Sequence, residues 1–123
     1  RQYDISDPSN PKLTGQVWMG GLLGKAPIVE GIEIHGAPQM IQLSLDGKRL
    51  YVTTSLLSTW DNQFYPDIRD KGGQMFLVHC DVENGGMHLD PGFLVDFGQE
   101  PKGPARAHET RYPGGDCSSD IWI

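Results

Sequence analysis

Cysteine is scarce in this chain: among 123 residues there are only Cys80 and Cys117, and they form no CxxC pair. A small secreted domain held by disulfides carries more, so the count fits a reducing, intracellular setting, with Cys80–Cys117 pairing the less favoured alternative. Positive charge is also short. Ten Lys and Arg stand against 16 Asp and Glu, a formal charge of −6, and no cluster of five or more basic residues occurs. That excludes a nucleic-acid surface and an electrostatic patch for anionic lipid. Long apolar runs are missing too. The stretch from Ile41 to Leu45 is broken by Gln42 and Ser44, so no transmembrane segment is expected. Position 1 is Arg, and no charged-then-apolar leader follows it. What is plentiful is turn chemistry: 16 Gly and nine Pro make up about a fifth of the chain. That is too much for a helical bundle and suits short strands joined by turns, so the chain reads as a soluble, acidic, all-β unit.

Strands are expected at Gln2–Ile5, Gly15–Met19, Gln39–Ser44, Arg49–Thr54, Gln74–Asp81 and Phe93–Phe97, with a last one at Ser119–Ile123. Asp46-Gly47 is the strongest hairpin signal. Leu22–Gly36 and Ser58–Gly73 have no clean period and are expected to be loops. A shift of 77 residues lays Asp4-Ile5 on Asp81-Val82, Gly15 on Gly92 and Val17 on Leu94. Two like hairpins flanking a Ser-x-Asp-Gly-x-x-Leu-Tyr-Val hairpin is how successive propeller blades look. Six or seven strands make less than two blades, and a propeller closes only with about four to eight. On that basis the chain is a C-terminal piece of something longer. A small self-contained β-sandwich is the competing architecture.

Signatures of chemistry are sparse. His35, His79, His88 and His108 form no HxH or HExxH pair. His79 and Cys80 adjoin in an expected strand and so point to opposite faces; His79 and Asp81 can share one, though a lone strand histidine is more often simply packed. Gly20 to Ala26 lacks the spacing and the hydroxyl of a phosphate loop, and no Gly-x-Ser-x-Gly elbow exists. The richest segment runs from His108-Glu109 through Arg111 to Asp116-Cys117. It mixes imidazole, carboxylate, guanidinium and thiol on a bendable backbone, which suits a soft metal or thiol chemistry. The plainer alternative is structural: an ion-paired Arg111, a buried Cys117 and a turn-capping His108.

Several blocks together resemble the selenium-binding protein family. They are Arg1–Pro8 (RQYDISDP), Pro38–Tyr51 (PQMIQLSLDGKRLY), Gln63–Asp67 (QFYPD), Phe93–Gly98 (FLVDFG), and the ending from Ala107-His108-Glu109 through Arg111–Ile123 (RYPGGDCSSDIWI). They span almost the whole chain in order, and the last is long and specific. The segment Leu22–Ala37 departs from the family, being shorter and carrying Gly36-Ala37 in place of Gly-Gly.

The resemblance implies the C-terminal portion, about two blades, of a seven-bladed β-propeller. Residues 1–21 would be part of one blade, 38–98 a second, and 101–123 the tail with its closing strand. It further implies a methanethiol oxidase that converts methanethiol, oxygen and water to formaldehyde, hydrogen sulfide and hydrogen peroxide. Selenium binding and copper dependence go with the family, as do a cytoplasmic location with nuclear and peripheral-membrane pools and a suggested role in intra-Golgi transport. The family's selenium-binding cysteine lies in a region outside this chain, so that role passes to neither Cys80 nor Cys117. Oxidising a thiol with oxygen needs a redox centre, the chain has no flavin or nicotinamide fingerprint, and copper fits the need. His108 is the expected catalytic and copper-ligating residue, with Glu109 as the partner that orients it. The expected partners are a small thiol substrate and the rest of the chain's own propeller. A non-catalytic propeller that binds selenium or electrophiles, or acts as a protein scaffold, is the alternative function.

Overall fold

Asp46-Gly47 turns the chain as its sequence requires. Gly47 has φ +72°, the Gly47 N–H donates to Ser44 O at 2.8 Å, and Asp46 Oδ1 accepts from the Ser44 hydroxyl and the Lys48 N–H. The turn joins β5 (Met40–Leu43) to β6 (Arg49–Thr53), the first two strands of an antiparallel sheet. β7 (Gln74–Cys80) and β8 (Met87–Asp96) complete it in the order β5-β6-β7-β8. This computed structural model describes residues 1–99, 102–108 and 110. The expected closing strand Ser119–Ile123, Glu109 and Cys117 lie outside the described residues.

β-Branched and aromatic residues put one face of the sheet into the core. Val52, Phe76, Val78 and Leu89 are buried there against Met19 and Ile34, with Leu50, Cys80 and Met87 packed around them. Met19 and Ile34 arrive from the segment that precedes the sheet. β1 (Gln2–Asp4) and β2 (Lys12–Gly15) form an antiparallel hairpin closed by Asp4 and Asp7, whose carboxylates accept from the N–H and hydroxyl of Ser6 and Ser9. The second strand was expected at Gly15–Met19. Its pairing ends at Gly15, and Val17 and Met19 leave the ladder to fill the core instead.

The expected loop at Leu22–Gly36 contains a small hairpin, β3 (Ile28–Val29) with β4 (Ile32–Glu33). Its two turn residues, Glu30 at φ +51° and Gly31 at φ +84°, have the backbone of a tight primed turn, which a Glu at the first position disguises. The expected loop at Ser58–Gly73 holds two short helices, α1 (Ser58–Phe64) and α2 (Ile68–Lys71). Asp61, only 2% exposed, accepts from the Ser55 hydroxyl and the Leu56 N–H and so ties the incoming chain to α1. Trp60 and Phe64 meet one helical turn apart, with ring centroids at 6.0 Å.

The β1–β2 hairpin docks on the turn between β7 and β8. Gln2 bridges it, donating from Nε2 to Asp81 O and accepting at Oε1 from the Gly86 N–H. Gly85, at φ +79°, lies so close to this hairpin that a Cβ there would meet Thr14 Cβ at 2.7 Å. Asp81 caps its own turn by accepting from the N–H groups of Glu83 and Asn84, as Asp4 does for Ser6. The correspondence between Asp4 and Asp81 is therefore one of turn chemistry. Among the described residues the fold is mostly antiparallel strand, and no helix is long and apolar enough to cross a membrane.

Candidate functional site

The chain from Lys102 to His108 lies across the end of the sheet as a strap. Ala105 is pinned twice, its carbonyl accepting from the Gly73 N–H at 3.0 Å and its N–H donating to Phe97 O at 2.8 Å. Gly72 lets it pass close: a Cβ there would stand 3.0 Å from Ala105 O and 2.9 Å from Gly98 Cα. Arg106 then reaches under the helices. Its Nη2 donates to Asn62 Oδ1 and Ile68 O, and its Nη1 lies 3.9 Å from the Asp61 carboxylate.

These anchors set the position of His108. Its carbonyl accepts from the Thr53 hydroxyl at 3.1 Å, and its ring Nδ1 lies 2.5 Å from Leu56 O. A backbone carbonyl only accepts, so Nδ1 carries the hydrogen. Nε2 is then the nitrogen left with a lone pair in the neutral ring. The ring lines an open apolar recess of about 420 Å³ with Leu56, Leu57 and Trp60. His108 is thus an imidazole of fixed tautomer beside a greasy surface. That arrangement can offer one ligand to a metal, or one base to a small apolar substrate. Glu109, expected to orient it, lies outside the described residues; the atom that fixes the ring is the Leu56 carbonyl.

The remaining candidates sit elsewhere. His79 and Cys80 do part to opposite faces. Cys80 packs beside the core as a free thiol whose pKa burial pushes up, which makes it a poor nucleophile. His79 finds its carboxylate at Asp90 Oδ2, 2.9 Å from Nε2, while Asp81 is engaged in its turn. His88 stacks on His79, an arrangement that spacing along the chain could not reveal because it depends on how β7 and β8 pair. His35 contributes its backbone N–H to Gln74 Oε1. Among the described residues no three His, Cys, Asp or Glu side chains converge as a metal site.

A sequence model of the 56 kDa selenium binding protein family matches residues 1–123. The chain belongs to that family. Selenium-binding protein 1 of Arabidopsis thaliana is 55% identical to it, and the human protein named methanethiol oxidase 57% identical. Each alignment covers the whole chain, and 29% and 30% of the relative, respectively. This family member therefore spans about three-tenths of the length of the curated relatives it matches. Both alignments run over 140 positions against 123 residues here, so the relatives carry 17 positions that this chain lacks. The crystal structure of a hypothetical selenium-binding protein from Sulfolobus tokodaii superposes with a TM-score of 0.82 at 48% identity, covering all of this chain and 25% of that one.

Proposed function

We propose that this chain is the C-terminal part of a seven-bladed propeller whose full-length protein is a methanethiol oxidase. Relatives of that name are 56–58% identical across the whole chain. The observation that carries the assignment of a site is the Nδ1 bond from His108 to Leu56 O, which leaves Nε2 free on a ring lining an apolar recess. Methanethiol is a small, mostly apolar thiol and suits such a lining.

At the recess the donor set for copper is one imidazole, His108, which fits a single ligand position and not a complete site. The other ligands belong to the rest of the propeller, and selenium binding is likewise assigned outside this chain. When bound, copper supplies the one-electron steps that let a thiol react with oxygen. The chain's own part is to hold the His108 ring in one tautomer, to line the recess with Leu56, Leu57 and Trp60, and to keep the strap in place through Arg106.

The sheet edge favours a partner made of the missing length. β5 is an edge strand that shows Ile41 at 59% exposure, and Leu45 just beyond it stands at 70%. An open apolar edge of this kind is normally covered, and a neighbouring blade would cover it. The same edge is what would support the second reading, a non-catalytic propeller that binds selenium or electrophiles or serves as a protein scaffold. Oxygen uptake with methanethiol separates the two, measured alongside copper content on the full-length parent and its His108→Ala variant. Turnover that falls with copper in the variant is expected. Copper-loaded wild-type protein that turns nothing over would leave the binding-protein reading.

A further inference from the structure

His79 and His88 face each other directly in the β7–β8 ladder, and nothing proposed above uses them. Their rings stack with centroids 5.0 Å apart and planes 28° apart. Asp90 lies two residues beyond His88, on the same face of β8, and its Oδ2 is 2.9 Å from His79 Nε2. The ladder slips next to it: Val78 pairs with Leu89 but Phe76 pairs with Leu94, so extra residues around Pro91-Gly92 bulge opposite Leu77. The Gly92 N–H donates to Asp90 Oδ1 at 2.8 Å within that bulge, leaving Oδ2 turned toward His79.

Asp90 accepts at both oxygens, from the Gly92 N–H at Oδ1 and from His79 at Oδ2, and an Asp carboxylate only accepts. Nε2 of His79 therefore donates, and Nδ1 keeps the lone pair of the neutral ring. A carboxylate behind a histidine in this way is the usual support of a metal-ligating imidazole. His88 is exposed and His79 is partly so, and with centroids 5.0 Å apart the two rings stand at a distance that one ion can bridge.

We propose that His79 and His88 form a cross-strand, two-imidazole site for a divalent late transition-metal ion, with Asp90 orienting His79. Imidazole pairs follow the Irving–Williams order, so Cu2+ binds ahead of Ni2+ and Zn2+. No third protein ligand is close among the described residues, so water fills the remaining positions and the ion exchanges freely. Arg49 pairs with His79 across β6 and β7 and is the cation nearest in the ladder; its Nη2 lies 3.7 Å from Asp46 Oδ2, which offsets its charge.

The test uses the full-length protein in a His108→Ala background, so that failure of the oxidase site and failure of this one are told apart. Calorimetric titration with Cu2+ should show a saturable equivalent that survives His108→Ala. It should disappear in His88→Gln and in His79→Asn, and weaken about tenfold in Asp90→Asn. Zn2+ should also protect His79 and His88 from diethyl pyrocarbonate in protein carrying neither substitution, as mapped by mass spectrometry. Cu2+ affinity unchanged in both histidine variants would overturn the proposal, as would equal modification of the two rings with and without Zn2+.

Discussion

The two imidazole regions of this chain are built on opposite plans. His79 is fixed by residues of its own hairpin: His88 lies nine positions away and Asp90 eleven. His108 is fixed by residues more than fifty positions away, Thr53 and Leu56, on a strap that follows the sheet in sequence. The first arrangement forms whenever β7 and β8 pair. The second needs the sheet, the helices and the strap together. A carboxylate orients His79 and adds charge beside it; a neutral carbonyl orients His108 and adds none. The lesson is that local pairing can assemble a charged, exposed cluster, whereas a ring beside an apolar recess depends on long-range closure.

Substitutions should pull these regions apart. Phe76→Ala empties a fully buried site at the centre of the sheet and should cost about 3–5 kcal/mol in chemical denaturation. It should loosen both regions, since each rests on that sheet. Asp61→Ala strands the Ser55 hydroxyl, the Leu56 N–H and Arg106 together. It should cost about 2–3 kcal/mol. The imidazole resonances of His108 should move while those of His79 and His88 stay put, and movement of all three would erase the distinction. Gly72→Ala forces a residue at φ +81° against Gly98 and Ala105 and should cost about 1–2 kcal/mol, felt at the strap and just past β8 and not at His79 and His88.

The smallest effect belongs to Asp90. Its folded-state pKa is depressed, so the stabilisation it gives is present above the ordinary aspartate value of 3.8 and fades as pH falls through the lower folded value. Stability should fall less between about pH 5 and pH 2 in Asp90→Asn than in wild type. An unchanged pH profile would mean the His79 contact contributes nothing in solution.

Much of the sheet was legible because its signals are local. Asp46-Gly47 and the β-branched run of β6 announce a hairpin without help from the rest of the chain. The helices were not, since seven and four residues are too few to display a helical period, and Asp61 does its work through contacts that the fold supplies. Pro91 explains why β8 was expected to begin only at Phe93: it breaks a strand pattern, yet is tolerated on an edge strand at a bulge. For the site, the segment around His108 stood out by composition. Its Leu56 partner and the Arg106 anchor did not, because nothing in the order of residues says that position 108 returns to position 56. His79 and His88 were visible as residues but not as a pair, since register is a property of two strands.

Cys80 offers a clock for the end of the ladder where those histidines sit. Its thiol is partly covered by core residues and raised in pKa, so alkylation is slow in the closed sheet and quickens when that end opens. With Cys117 replaced by Ser, Cys80 is the one thiol in the chain, and its labelling rate reports the opening of β7 from its neighbours. Labelling slowed by added Zn2+ would register the metal as a clasp on the hairpin's end, read in seconds or hours from a sulfur atom that never touches it.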